Sequence, residues 1–241
     1  MSPPTPYKIH RISSSRKGAE GNTRPGRCTL SGFIKYDCEE SPHLVYNEFV
    51  ALRLAQALAI PVADGVLTLA GDGYAYVSLE VALPGHDLPD MRESDGKIIA
   101  RKYLAQAAAV VAFDYWIGNR DRGTNIKAAI RSEHVQLFRA FDHQFSLLDI
   151  EADPKQSIAR LRSGELIVAH HPFVDSLTTE ELRPWFARVA GLPAETVRSC
   201  CAFERPFRTV LPDVQAALAS ALIKRAEILM DMLPQIKEGL S

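Results

Sequence analysis

Two neighbouring stretches, "YWIGNRDRGTNIKAAI" (residues 115–130) and "VQLFRAFDHQFSLLD" (residues 135–149), decide how this chain is read. In the first, an apolar, alanine-rich helix pattern runs into Gly118 and then into Asn119, Arg120, Asp121, Arg122, Gly123, Thr124 and Asn125. In the second, Asp142 stands among Phe141, Phe145, Leu147 and Leu148. Asn, Asp and Gly are turn formers, so either stretch alone fits a surface connection. Their order is more specific. A polar loop carrying a carboxylate and an amide oxygen comes first, and a carboxylate at the end of a short apolar strand follows.

Upstream of the loop, "KIIARKYLAQAAAVVAFDYWIG" predicts one long helix built of strong helix formers and stopped by Gly118. Downstream, "IKAAI" and "VQLFRAFD" predict a strand pair with a turn at residues 131–134. Beyond Ile150 the pattern is helical. "TTEELRPWFARVAG" carries a Thr cap with Glu181 in the first turn, and "LPAETVRSCCAF" and "VLPDVQAALASALIKRAEILMDMLPQI" give two more helices. Towards the N-terminus, "SSSRKGAEGNTRPG" reads as a flexible loop, and "RCTLSGFIKY" as a short strand with Phe33 and Lys35 on one face. "HLVYNEFVALRLAQALAI" is a helical stripe ended by Pro61, and "VADGVLTLAGDGYAYVSLEVAL" a hairpin turning at Gly-Asp-Gly. The expected fold class is α+β: a small β-containing N-lobe over 8–83, a linker over 84–96, and a helical C-lobe over 97–235.

The 241 residues suffice for a sizeable core, and 46% hydrophobic with 24% charged residues is ordinary for a globular protein. A formal charge of −1 gives no general basic field, which argues against a nonspecific nucleic-acid or membrane role. The longest apolar stretch, residues 103–117, contains Gln106 and Asp114 and is too short to span a bilayer. With a polar, proline-rich start, the expected location is the cytoplasm. Cys28, Cys38, Cys200 and Cys201 lack zinc-site spacing, so Cys200-Cys201 is expected to pack, and His170-His171 to lie in a loop.

Phosphoryl transfer from a nucleoside triphosphate asks a protein for a cation on the phosphates, oxygen ligands for a metal, and an acceptor for the hydroxyl proton. Lys35 on a strand and Glu48 on the following helix match the device that holds the α- and β-phosphates. They also fit an exposed lysine and a helix-surface glutamate. Asp121 and Asn125 could orient a nucleophile and hold Mg²⁺, a hard cation that prefers oxygen. They also fit a charged helix-to-strand connection. Asp142, ending a short strand just after that loop, would carry the second metal ligand, or else cap an Asx-turn.

"GNRDRGTN" followed by "LFRAFDHQFSLL" resembles the catalytic and metal-binding segments of the HipA-like kinases, which share a protein-kinase/lipid-kinase-like fold. The resemblance extends from the N-terminal loop through "GFIKY" and "YNEFVALRLAQALAIPV" to the helical end, about residues 8–232. It is closer to the compact stand-alone domain than to full-length HipA toxins. It implies a two-lobed kinase using ATP and Mg²⁺, with Lys35 on the phosphates, Glu48 orienting it, and Asp121 as catalytic base. Asn125 and Asp142 would be metal ligands. Glu80, Val81 and Ala82 would bind adenine through their backbone, with Arg24 near the phosphates. It further implies a protein serine or threonine as acceptor, autophosphorylation among Ser13, Ser14 and Ser15, and, for a toxin, an antitoxin partner.

Two departures from the kinase pattern stand out. Asn125 follows Asp121 by four residues rather than five, and "DHQ" replaces Asp-Phe-Gly. The short spacing also fits a non-catalytic module that keeps the fold, while retention of all five polar positions fits an active enzyme. A small-molecule or lipid kinase is the third reading, with Arg120 and Arg122 beside the base and Lys155, Arg160 and Arg162 in a later basic stretch.

Overall fold

A computed structural model describes residues 7–13, 27–71, 73–82, 88–131, 134–168, 170–203 and 205–238. The loop residues 14–26, with Ser14, Ser15 and Arg24, lie outside this set. Two small antiparallel sheets form the N-terminal part. β1 (Ile9–Ser13) pairs with β2 (Arg27–Leu30), and β3 (Gly32–Lys35), β5 (Gly73–Leu79) and β4 (Gly65–Ala70) form a sheet in that order. "RCTLSGFIKY" is thus two strands. Ser31 breaks it, donating its N–H to Lys8 and accepting from Glu80, both at 2.9 Å.

β4 and β5 form the expected hairpin, with Ala70 opposite Gly73. Gly71, at φ 62°, supplies the left-handed turn geometry that glycine tolerates. α1 (Leu44–Leu58) packs on this sheet and ends where Ala59 turns left-handed, its last carbonyls taken by the N–H groups of Ala59 and Ile60.

The predicted long helix is broken in two: α2 (Gly96–Lys102) and α3 (Leu104–Ile117) meet at Tyr103. The break has a tertiary cause. The buried Tyr103 hydroxyl donates to the Ala129 carbonyl at 2.9 Å and accepts from the Leu137 N–H at 3.3 Å. Seating that ring outweighs the continuous helix propensity. α3 is buried all round from Ala107 to Ile117, which is why its sequence is apolar on every face. Gly118 stops it at φ 69°.

A short ladder follows, β6 (Ile126–Ala128) with β7 (Phe138–Ala140), Ile126 opposite Ala140. The rest is helical: α4 (Pro154–Arg162), α5 (Thr179–Ala190), α6 (Ala194–Cys201) and α7 (Pro212–Glu238). The Thr178–Glu181 capping box forms as its spacing predicts. Cys200 and Cys201 are buried, with Phe203 and Phe207 packing close by on α1 and β5 neighbours. No helix among the described residues is long and apolar enough to cross a membrane.

Candidate active site

Lys35 ends β3 on the face that α1 covers, and Glu48 projects from α1 towards it. Their side chains meet at 2.5 Å, and the same ammonium lies 3.0 Å from Asp142 Oδ1. Glu48 is 3% exposed, whereas Lys35 and Asp142 are 19% and 25% exposed at the cavity edge. Burial opposes the charge on Lys35, but Glu48 and then Asp142 outweigh it and hold the ammonium above the usual lysine value. Burial likewise opposes the Glu48 charge. The hydrogen bond from His143 and the charge of Lys35 overcome it and bring that carboxyl down to about 2.

Asp142 sits two residues past β7 at φ 62°, a region that Asp enters more readily than most residues. It accepts from the Gln144 N–H at 3.4 Å, so the Asx-turn and the Lys35 ion pair coexist. The turn brings His143 back towards Glu48. The His143 backbone N–H lies 3.2 Å from Glu48 Oε1, and ring Nδ1 lies 3.5 Å from Oε2.

Asp121 lies in the tight loop that follows α3. Its carboxyl is raised by burial and by the Asp142 charge, against the opposing Arg122 and Arg120. Asn125 Nδ2 donates to the Asp121 carbonyl at 2.9 Å, and the Asn125 N–H to the Arg122 carbonyl at 2.8 Å. The Asn125 carbonyl accepts from the Phe141 N–H at 3.1 Å, extending the β6–β7 ladder to the residue before Asp142. The four-residue spacing is therefore a compact turn.

Arg122 does not flank the base in solvent. It is buried, donating to both oxygens of Asp114 on α3, from Nε at 2.7 Å and Nη2 at 2.9 Å. Its Nη1 reaches the carbonyls of Asn125, at 3.2 Å, and Phe141. Asp114 also accepts from Asn119 Nδ2 at 3.0 Å, and Asn119 Oδ1 accepts from the Asp121 N–H at 3.2 Å. The expected loop at His170-His171 places His171 in this cluster, with Nε2 3.1 Å from Asp114. One buried carboxylate thus anchors the Asp121 loop and, through Arg122, the strand that ends beside Asp142.

A second buried carboxylate fixes the other side. Asp149 accepts from Ser41 Oγ at 2.6 Å, the His43 N–H at 3.1 Å and Asn47 Nδ2 at 2.9 Å. Asn47 Oδ1 in turn accepts from the Leu148 N–H at 3.2 Å. The start of α1, as far as Asn47 beside Glu48, is tied to the segment that follows Asp142.

Asp114, Arg122 and Asp149 escape a reading that looks for exposed chemistry. A signal existed for Asp114. A charge inside a helix apolar on every face must find a partner, because isolated buried charge is expensive.

Between the sheets and the helices lies a cavity of about 1010 Å³. Lys35 and Asp142 line one part of it and Glu80, Val81 and Ala82 another; Asp121 and Asn125 do not reach its wall. Val81 and Leu88 pack with Ala63, Ala129 and Leu137, and Phe141 and Tyr7 close on that cluster. Tyr7 pairs its backbone with Val81 and donates its hydroxyl to Asp64. Two further polar lining residues were not singled out in the sequence: Lys127 and Asp90, paired at 2.8 Å. The Glu80 side chain points to Lys8, at 3.1 Å.

No family model matches the sequence, and no curated protein matches it. Solved structures do. The kinase CtkA of Helicobacter pylori, described as proinflammatory, superposes with a TM-score of 0.59 over 95% of this chain and 97% of its own, at 14% identity. HipA of Shewanella oneidensis MR-1, solved with HipB and its operator DNA, gives a TM-score of 0.56 at 15% identity. The chain has the HipA-like kinase fold. The match covers 95% of this chain but 65% of the Shewanella HipA chain, so a third of that protein has no counterpart here. At these identities the fold is what is shared. The α+β, two-lobed architecture read from the sequence agrees with it.

Proposed function

We propose that this chain is an ATP- and Mg²⁺-dependent kinase that transfers the γ-phosphoryl group to a serine or threonine of a protein. The observation that carries the reading is the closed Lys35–Glu48 and Lys35–Asp142 arrangement at the edge of a cavity with an apolar slot. Phosphoryl transfer is chiefly positioning and charge compensation, and these residues supply both. The Glu80–Ala82 backbone and the Val81, Leu88 and Phe141 side chains suit a flat base. Lys35 then meets the α- and β-phosphates, with Glu48 holding it. We read 84–96, of which 84–87 lie outside the described residues, as the connection between the lobes, and place the protein in the cytoplasm.

The residues fit a divalent cation. Burial and then the Asp142 charge raise the Asp121 carboxyl, and a cation beside Asp142 and the phosphates would offset the second of these. Among the described residues no three His, Cys, Asp or Glu side chains form a metal cluster by themselves. Mg²⁺ takes one or two carboxylates and completes its shell with phosphate and water. The cation would neutralise charge on the phosphates. Asp142 and the Asn125 side-chain oxygen are the proposed ligands, since Asn125 Nδ2 is already engaged by Asp121. Asp121 is the proposed base, accepting the hydroxyl proton of the acceptor.

HipB is the partner of the Shewanella HipA. To this chain we extend a regulatory protein partner, and no nucleic acid, because the net charge of −1 offers no basic field. Intact-mass analysis after incubation with ATP and Mg²⁺ tests the reading. A phosphate-sized increase on the chain or on an added protein, absent from Asp121→Ala and Asp142→Asn, supports it. No mass increase together with a complete loss of Mg²⁺-dependent ATP binding would favour the non-catalytic module. Fragment spectra report on Ser13, Ser14 and Ser15.

A further inference from the structure

The residue after Asp142 is chemically out of place. The His143 ring is buried, 4% exposed, with the edge of Phe113 against it at a centroid distance of 5.9 Å. Its Nε2 has no hydrogen-bond partner among the described residues. A buried polar atom without a partner is destabilising, and an aromatic hydrocarbon would pack against Phe113 without that penalty. What the imidazole has and a phenyl lacks is Nδ1, which lies 3.5 Å from Glu48 Oε2.

That contact closes a ring of four residues. Lys35 Nζ bridges Glu48 Oε1 and Asp142 Oδ1; Glu48 Oε1 also takes the His143 N–H, and Oε2 faces the His143 ring. With the ring facing Oε2 and the backbone N–H on Oε1, rotation of the carboxylate away from Lys35 is opposed from both sides. We propose that His143 is a positioning residue, whose ring fixes the Glu48 carboxylate so that Lys35 stays between Glu48 and Asp142. The Asp142–His143 pair therefore does two jobs with adjacent residues. One contacts the lysine directly and the other contacts it through Glu48. The geometry stands by itself; its consequence for ATP rests on the kinase reading.

The test uses the full chain, with His143→Phe to remove Nδ1 while filling the slot, and His143→Asn to return a donor near the position of Nδ1. Lys35 is labelled with a small amine-reactive acylating reagent without nucleotide, and its labelling rate is followed by peptide mass spectrometry. Thermal unfolding of each variant runs alongside. A lysine gripped by two carboxylates is shielded, so His143→Phe should label about fivefold faster, the scale of one lost polar contact. His143→Asn should label near the parent rate, even if it unfolds at lower temperature. Parent-like labelling in His143→Phe, or equal acceleration in both variants, would overturn the proposal and leave the ring as packing. Protection of Lys35 by ATP with Mg²⁺ in the parent is a separate arm. Its absence counts against the kinase reading, whereas the labelling rates without nucleotide still decide the role of His143.

Discussion

Replacing Asp114 by Asn tests whether one buried carboxylate holds the candidate site together. Asp114 accepts from Arg122 Nε at 2.7 Å, Arg122 Nη2 at 2.9 Å, Asn119 Nδ2 at 3.0 Å and His171 Nε2 at 3.1 Å. An asparagine has the same shape but one acceptor oxygen, and its NH₂ must face donors on the other side. Arg122 is then a cation buried without a counter-charge. Breaking a buried pair by removing one partner typically costs about 3–5 kcal/mol. For a chain of this size each kcal/mol moves the midpoint by about 2–4 °C, giving a fall of about 6–20 °C. Thermal and urea unfolding of purified Asp114→Asn would measure it. A joint Asp114→Leu and Arg122→Met substitution removes both charges and should lose less than Asp114→Asn alone. The matching control is Asp121→Asn. That carboxyl is raised by its partial burial and by the Asp142 charge, so its loss should leave the midpoint unchanged or higher while abolishing any phosphoryl transfer. An Asp114→Asn protein with the parent midpoint would refute the anchoring argument.

Two further outcomes follow from the same geometry. Glu48 is lowered from the usual 4.5 to about 2, so its contribution to stability is complete above pH 4.5 and is lost as pH falls towards 2. Urea midpoints across that window should fall for the parent and fall less steeply for Glu48→Gln; parallel curves would refute the assignment. Gly118→Ala should destabilise by about 1–3 kcal/mol by denaturant unfolding. A side chain there must adopt φ 69°, with its Cβ 2.6 Å from Ile150 Cδ1, and an unchanged midpoint would refute the strain.

What the sequence made legible was local. The Gly118 stop, the hairpin at residues 70–73, the Thr178 cap and the face-sharing of Phe33 and Lys35 each depend on a few adjacent residues. The helix break at Tyr103 was not legible, because its cause is a hydroxyl satisfied 26 and 34 residues away. Arg122 was misplaced for a similar reason. Beside Asp121 in the sequence it reads as surface charge, and its partner is eight residues back, inside a helix. Candidate site residues can be proposed from chemistry and order, but the buried groups that hold them are visible only when the chain is folded.

The short Asp121–Asn125 spacing shows the same division. Counted along the chain, a missing residue suggests a damaged loop. In the fold the turn is closed by Asn125 Nδ2 on the Asp121 carbonyl and by Arg122 Nη1 on the Asn125 carbonyl. The Phe141 N–H takes the same Asn125 carbonyl, which seats residue 125 across the ladder from the residue preceding Asp142. What matters to a metal site is where oxygen atoms sit, and here the ladder fixes the backbone of residue 125 opposite Phe141 even though the loop is short. A loop one residue shorter can serve provided Arg122 stays buried and paired. On the proposed metal reading, the anchor at Asp114 that pairs Arg122, rather than the number of residues between Asp121 and Asn125, is the feature to test.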